Sequence, residues 1–135
     1  SGGTASAKTG TTTSNTGVMS GTGVWSQVIA LTLTNCPAGR VFFNNGGNSL
    51  EVFTGTGTCS HQARLKVNGV VQVTTAGKST VSGGMPEFAT FQELFNAAYN
   101  VASGTVTISV EMARTSGTGT ITEMINSLDC TVIAT

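Results

Sequence analysis

A chain of 135 residues is long enough for one domain around one core. Only 9% of it is charged, against about 25% in ordinary soluble domains, and six basic residues balance six acidic ones. This leaves no clustered cation for nucleic acid and no polybasic patch for an anionic membrane, while 39% hydrophobic content argues against a disordered tail. Residues 1–23, SGGTASAKTGTTTSNTGVMSGTG, are polar and Gly-rich, with Val18 and Met19 as their only large apolar side chains. They read as a linker or extended arm leading into a β-domain over 24–135, and as the place where the chain would join a longer parent.

Residues 24–36 predict a strand, with Trp25, Ile29, Leu31 and Leu33 on one parity and Ser26, Thr32 and Thr34 on the other. Pro37-Ala38-Gly39 turns the chain into a short strand over 40–44, which stops at Asn45-Gly46-Gly47. Residues 49–54 set Leu50 and Val52 against Glu51 and Phe53. In QARLKVNGVVQVTT, Ala63, Leu65 and Val67 oppose Arg64 and Lys66. Asn68-Gly69 then predicts a two-residue type I′ hairpin, with Val71 and Val73 on the partner strand.

Residues 86–102 carry two patterns. Phe88, Phe91, Phe95, Ala98 and Ala102 fall at helical spacing, with Pro86 and Gly104 as flanking signals; Phe91, Phe95, Tyr99 and Val101 also share strand parity. The expectation is a short helix or turn within 87–96, then a strand. ASGTVTISVEMARTSGTGTIT puts Val106, Ile108, Val110 and Met112 inward and Thr105, Thr107, Ser109 and Glu111 outward. Its turn, TSGTG, leads to a strand from Thr118, and a last strand covers 128–133. Seven to nine short strands between turn signals predict an all-β, antiparallel β-sandwich or jelly roll.

Chemistry-bearing residues are few. His61 is the single histidine and Asp129 the single aspartate, so a Ser-His-Asp triad would need both, and no G-x-S-x-G elbow is present. Cys59 and His61 would share a strand face, but that spacing matches no Cys-His nucleophile pattern. Glu51, Glu87, Glu93, Glu111 and Glu123 read as solvated carboxylates rather than a glycosidase pair, with Glu87 placed to favour a helix start. Cys36, Cys59 and Cys130 lack C-x-x-C spacing and are odd in number, which leaves buried thiols or one disulfide plus a free thiol. Cys130 is in phase with Leu128 and Val132, so it points inward. Trp25, in phase with Ile29 and Leu31, suits core or subunit packing better than sugar stacking. NNGGNS reads as a turn, but its amides make good partners for hydroxyls. The loop candidates for binding are Asn44, Asn45, Asn48, His61 and Arg114. No catalytic residue, metal ligand or cofactor is expected, and so no enzyme.

HQARLKVNGVVQV, ASGTVTISVEMARTSGTGTIT and SLDCTVIAT together cover about a third of the chain. They resemble the Arg-bearing hairpin, Gly-Thr strand and terminal strand of the C-terminal β-sandwich tip domains of phage tail fibres and related virion appendages. The resemblance implies a homotrimer, located on a virion or outside the cell, whose distal loops bind a host-cell surface glycan or protein receptor. It transfers no catalytic residue, and the segment around Phe91 and the cysteines have no counterpart in it. Two other readings stand beside it. One is a capsid, decoration or pilin-like subunit held by protein–protein contacts, its polar arm adding a strand to a neighbour's sheet. The other is a carbohydrate-binding module. No nucleic-acid partner and no membrane insertion are expected; no apolar run reaches the roughly 18 residues of a spanning helix.

Overall fold

The computed structural model describes residues 7–14, 21–83 and 88–135; Val18, Met19, Pro86 and Glu87 lie outside them. Eleven strands run through the described residues: β1 Ala7–Ser14, β2 Ser26–Cys36, β3 Gly39–Phe43, β4 Ser49–Thr56, β5 Thr58–Val67, β6 Val70–Thr74, β7 Lys78–Val81, β8 Phe88–Thr90, β9 Tyr99–Val101, β10 Gly104–Gly117 and β11 Thr120–Ala134. All their pairings are antiparallel.

The registers reduce these eleven segments to eight strand positions. β11 pairs with β1 through 126–133, with β4 through 120–127 and with β3 through 130–134. Because β1 overlaps both other partners, β3 and β4 must lie end to end on the opposite side of β11. The same logic sets β8 and β9 end to end beyond β4 and β3, and β6 and β7 end to end beside β5. One sheet is therefore β1, β11, β3/β4, β9/β8, and the other is β2, β10, β5, β6/β7. Numbered by position, these orders are 1-8-3-6 and 2-7-4-5. A folded-over antiparallel hairpin rolled into two four-stranded sheets has this connectivity, which is that of a jelly roll.

Alternation builds the core. His61, Ala63, Leu65 and Val67 of β5 face inward, as do Val106, Ile108, Val110 and Met112 of β10 and Leu128, Cys130 and Val132 of β11; all are buried. Asn68 and Gly69 take φ of 50° and 82°, the two left-handed conformations that a type I′ turn needs. Four of the six sheet-to-sheet crossings are very short: residues 37–38, Gly57, 102–103 and 118–119. At Gly117, φ is +82° and a Cβ would come within 2.3 Å of the Thr58 carbonyl oxygen, so the turn into β11 requires glycine.

Several expectations are corrected. The strands expected from Thr118 and at 128–133 are one strand, β11. A register irregularity near Ile121–Glu123 switches which parity faces in, so Ile121 and Met124 are both buried, and the inward Asn126 hides the continuation. By contrast, the short helix or turn expected before Asn96 is present among the described residues: Phe88–Thr90 pairs with β4, a 3-10 turn, Gln92–Phe95, follows with Phe91 and Leu94 fully buried beside it, and the expected strand, β9, comes next. The register of β10 on β2 shifts between Val110–Ile29 and Glu111–Gln27, a bulge that explains why adjacent Val28 and Ile29 are both buried. Ser109 points outward as expected but is buried, flanked by Ala30 and Lys66. Within residues 1–23, Ala7–Ser14 is an edge strand of the first sheet, and Thr22 bridges to Arg114.

Lys78 closes the side where the sheets meet. Its ammonium donates to the Thr90 carbonyl at 2.6 Å and to Glu93 at 2.8 Å, and lies 5.2 Å from the centre of the Phe91 ring. Burial opposes ionisation of Glu93, but the Lys78 hydrogen bond and charge outweigh it and hold the carboxyl below its ordinary value.

Candidate functional site

The Asn-rich loop is a five-residue bulge, 44–48, set opposite Leu128 and Asp129 where β3 passes into β4. Its amides are already engaged. Asn44 Nδ2 donates to Asp129 Oδ1 at 2.7 Å and to Thr131 Oγ1 at 2.9 Å. Asn48 Nδ2 donates to the carbonyls of Asn44 and Asp129, while its Oδ1 accepts from the Asp129 backbone N–H at 2.8 Å. Gln92 Nε2 donates to the Asn48 carbonyl at 2.7 Å, tying the loop to the neighbouring break between β8 and β9. A Cβ on Gly47 would sit 2.6 Å from the Asp129 side chain, so glycine is what lets the loop close over that carboxylate. Asn44 and Asn48 thus hold the loop in place, and only Asn45 of the three is exposed. Asn48→Ala removes three hydrogen bonds and leaves the Asp129 N–H unpaired. It is expected to cost about 2–3 kcal/mol by urea unfolding, while Asn45→Ala stays within about 0.5.

His61 is not on a loop. It lies in β5 at 1% exposure, with Nδ1 lacking a hydrogen-bond partner. Burial, reinforced by the nearby Arg114 cation, pushes its pKa down to about 4, so the ring is neutral at ordinary pH. Cys59 does share its face. Its Sγ lies 3.5 Å from Thr80 Oγ1, and Thr54 hydrogen-bonds to Thr80, which places the buried thiol against a pair of threonine hydroxyls. Arg114 is in β10, opposite His61 in register, half-buried and 3.4 Å from Thr22 Oγ1. The predicted candidates therefore do not converge: Asn44, Asn45 and Asn48 belong to the first sheet, and His61 and Arg114 to the second. All three cysteines are free buried thiols, and burial, with Asp129 adding to it, pushes Cys130 up to about 12.

Trp25 is half-buried on the outside of the second sheet. The Arg64 guanidinium carbon sits 4.1 Å above its ring, held by Glu111 at 2.6 Å, with Lys66 3.6 Å from the same carboxylate. A sugar stacking on that face of the indole would have to displace the guanidinium.

The surface feature missed in the sequence lies on the outer face of the first sheet. Near one end, Ile125 and Phe88 are 41% and 45% exposed, and Phe53 and Phe88 stack at 5.7 Å. Glu51 pairs in register with Ile125, and Glu123 with Phe53. Near the other end, Phe42 and Ile133 are each 37% exposed, and Arg40 is the register partner of Ile133. Between these clusters runs the polar band of Asn44, Asp129, Ser127 and Ser49. The outward parity of Phe53 was readable, but the strand pairing that gathers these residues was not.

Among the described residues, no group of three or more His, Cys, Asp and Glu could hold a metal ion, and no helix is long and apolar enough to cross a membrane. No family model, curated protein or solved structure matches the chain.

Proposed function

We propose that this chain is a structural and adhesive domain of a virion or extracellular appendage, self-associating as a homotrimer. The observation that carries the self-association is the outer face of the first sheet. It has two exposed apolar clusters of opposite charge character: Ile125, Phe53 and Phe88 beside Glu51 and Glu123, and Phe42 and Ile133 beside Arg40. Like clusters facing each other would oppose like charges, whereas unlike clusters are complementary. Complementary patches at different places on one subunit make a heterologous contact, which closes into a ring when the rotation permits. The number three comes from the resemblance to tail-fibre tips.

Adhesion to a cell-surface glycan or protein would then rest on hydroxyl-rich sheet faces and edges, because most crossings offer only one or two residues. A coat or pilin-like subunit is the second reading, since a heterologous contact that fails to close grows a filament.

Ile125→Lys adds a cation where Arg40 of the next copy would approach. It is expected to reduce the particle from three chains to one in light scattering, while the unfolding free energy of the chain moves by no more than about 0.5 kcal/mol. An unchanged particle mass would remove this face from the assembly.

A further inference from the structure

The strand β1 stands apart from the other strands of eight or more residues. Its inward positions are Lys8, Gly10 and Thr12, set beside Val132, Cys130 and Leu128 of β11. It brings no large apolar side chain to the core. Gly10 lies against β2, where a Cβ would come 2.4 Å from Leu33 Cδ2. What holds β1 is eight residue pairs of backbone register and a hydrogen bond between the Thr9 and Thr131 hydroxyls at 2.9 Å. Each backbone bond contributes about 0.5–1.5 kcal/mol net, and ordering each residue costs about 1–2 kcal/mol, so the strand gains little by folding onto its own body.

Its connection is also longer than the other crossings: those at 37–38, Gly57, 102–103 and 118–119 use one or two residues, and that at 82–87 uses six. Residues 15–25, between β1 and β2, number eleven. Thr22 and Gly23 are tied to Arg114 of β10, which leaves residues 15–21 as the connecting span; two packed sheets are about 10 Å apart, whereas seven residues can reach up to about 23–25 Å. The length exceeds what the crossing needs. Meanwhile β11, which organises the whole first sheet, presents residues 126–133 as an edge that any copy of β1 fits equally well.

We propose that β1 is exchanged between copies: Ala7–Ser14 of one subunit pairs with residues 126–133 of β11 in the next. The exchange rests on the self-association proposed above and specifies how neighbouring subunits are fastened. Every contact of β1 is preserved in the exchange, and inside an assembly the high effective concentration offsets the cost of bringing chains together. Exchange passed around a ring leaves no β11 edge open.

The test uses two full-length chains, Thr9→Cys and Thr131→Cys, mixed, refolded together and oxidised. Neither carries both new thiols, and the native cysteines are buried. The expected product is a covalent dimer of the two variants, formed in at least severalfold excess over either variant oxidised alone. The pair Ala7→Cys and Ile133→Cys, both exposed register partners, repeats the test at the far end of the strand. A multimeric particle that gives no cross-chain product, while the double variant links within one chain, overturns the exchange and leaves the assembly standing. A single-chain particle with only the internal link overturns both.

Discussion

Gly39→Ala is expected to lower the unfolding free energy by about 3 kcal/mol or more. Gly39 is buried at the start of β3, paired with Ala134 on one side and Val101 on the other. A Cβ there would lie 1.9 Å from the Ile133 carbonyl oxygen and 2.7 Å from its carbon. Those atoms are backbone, so no rotamer change relieves the overlap. β3 must separate from β11, and the end of the sheet unpairs. Gly46 supplies the contrast: its φ is +80°, but nothing lies within 4 Å of a built Cβ. Gly46→Ala should cost only the left-handed backbone penalty, about 1–2 kcal/mol. Urea midpoints at unchanged slope measure both, and equal losses would contradict the close approach at Gly39.

Acid should weaken the fold through His61. Its native pKa is about 4 against an ordinary 6.5, because burial and then the Arg114 cation oppose the charged ring. The unfolded chain therefore binds a proton that the native chain refuses between these two values, and stability falls as pH drops from 6.5 to 4. The full loss is about 3 kcal/mol, reached below pH 4. His61→Leu keeps the position apolar and removes the titration. The unfolding free energy of the His61 protein relative to His61→Leu should fall by about that amount from pH 7 to pH 4. A pH-independent difference would place the imidazole in water.

Where alternation was uninterrupted, the sequence was easy to read. Ala63 through Val67 and Val106 through Met112 announced β5 and β10, and Asn68-Gly69 announced the turn from β5 into β6. The same parity could have placed His61 inside, since it is in phase with Ala63, Leu65 and Val67. β1 was hidden because its pairing is carried by backbone, with no apolar rhythm to detect. β11 was divided by the parity switch near Ile121 and by the inward Asn126, whose Nδ2 lies 3.4 Å from the Val28 carbonyl and whose Oδ1 lacks a partner. The helical spacing of Phe88, Phe91 and Phe95 is realised only as the 3-10 turn Gln92–Phe95: Phe88 stacks on Phe53, Phe91 is buried, and Phe95 packs on Phe43 at 5.5 Å.

The Asn-rich loop was recognisable as special, but its partner Asp129 lies some eighty residues away, so its role as an internal fastening could not be read locally. The low charge of the chain also gains a physical account. Thr and Ser hydroxyls pair across strands on outer faces, as in Ser49 with Ser127 and Thr56 with Thr120, at 2.9 and 2.7 Å. Few ionic groups are then needed to keep those faces ordered.

Light scattering on the size-exclusion peak of the full chain, at high micromolar concentration, tests the central claim most directly. The account predicts one monodisperse species at three times the 13.6 kDa chain mass. A polydisperse series of larger particles would transfer the claim to the filament-forming reading, and a clean single-chain species would contradict self-association altogether.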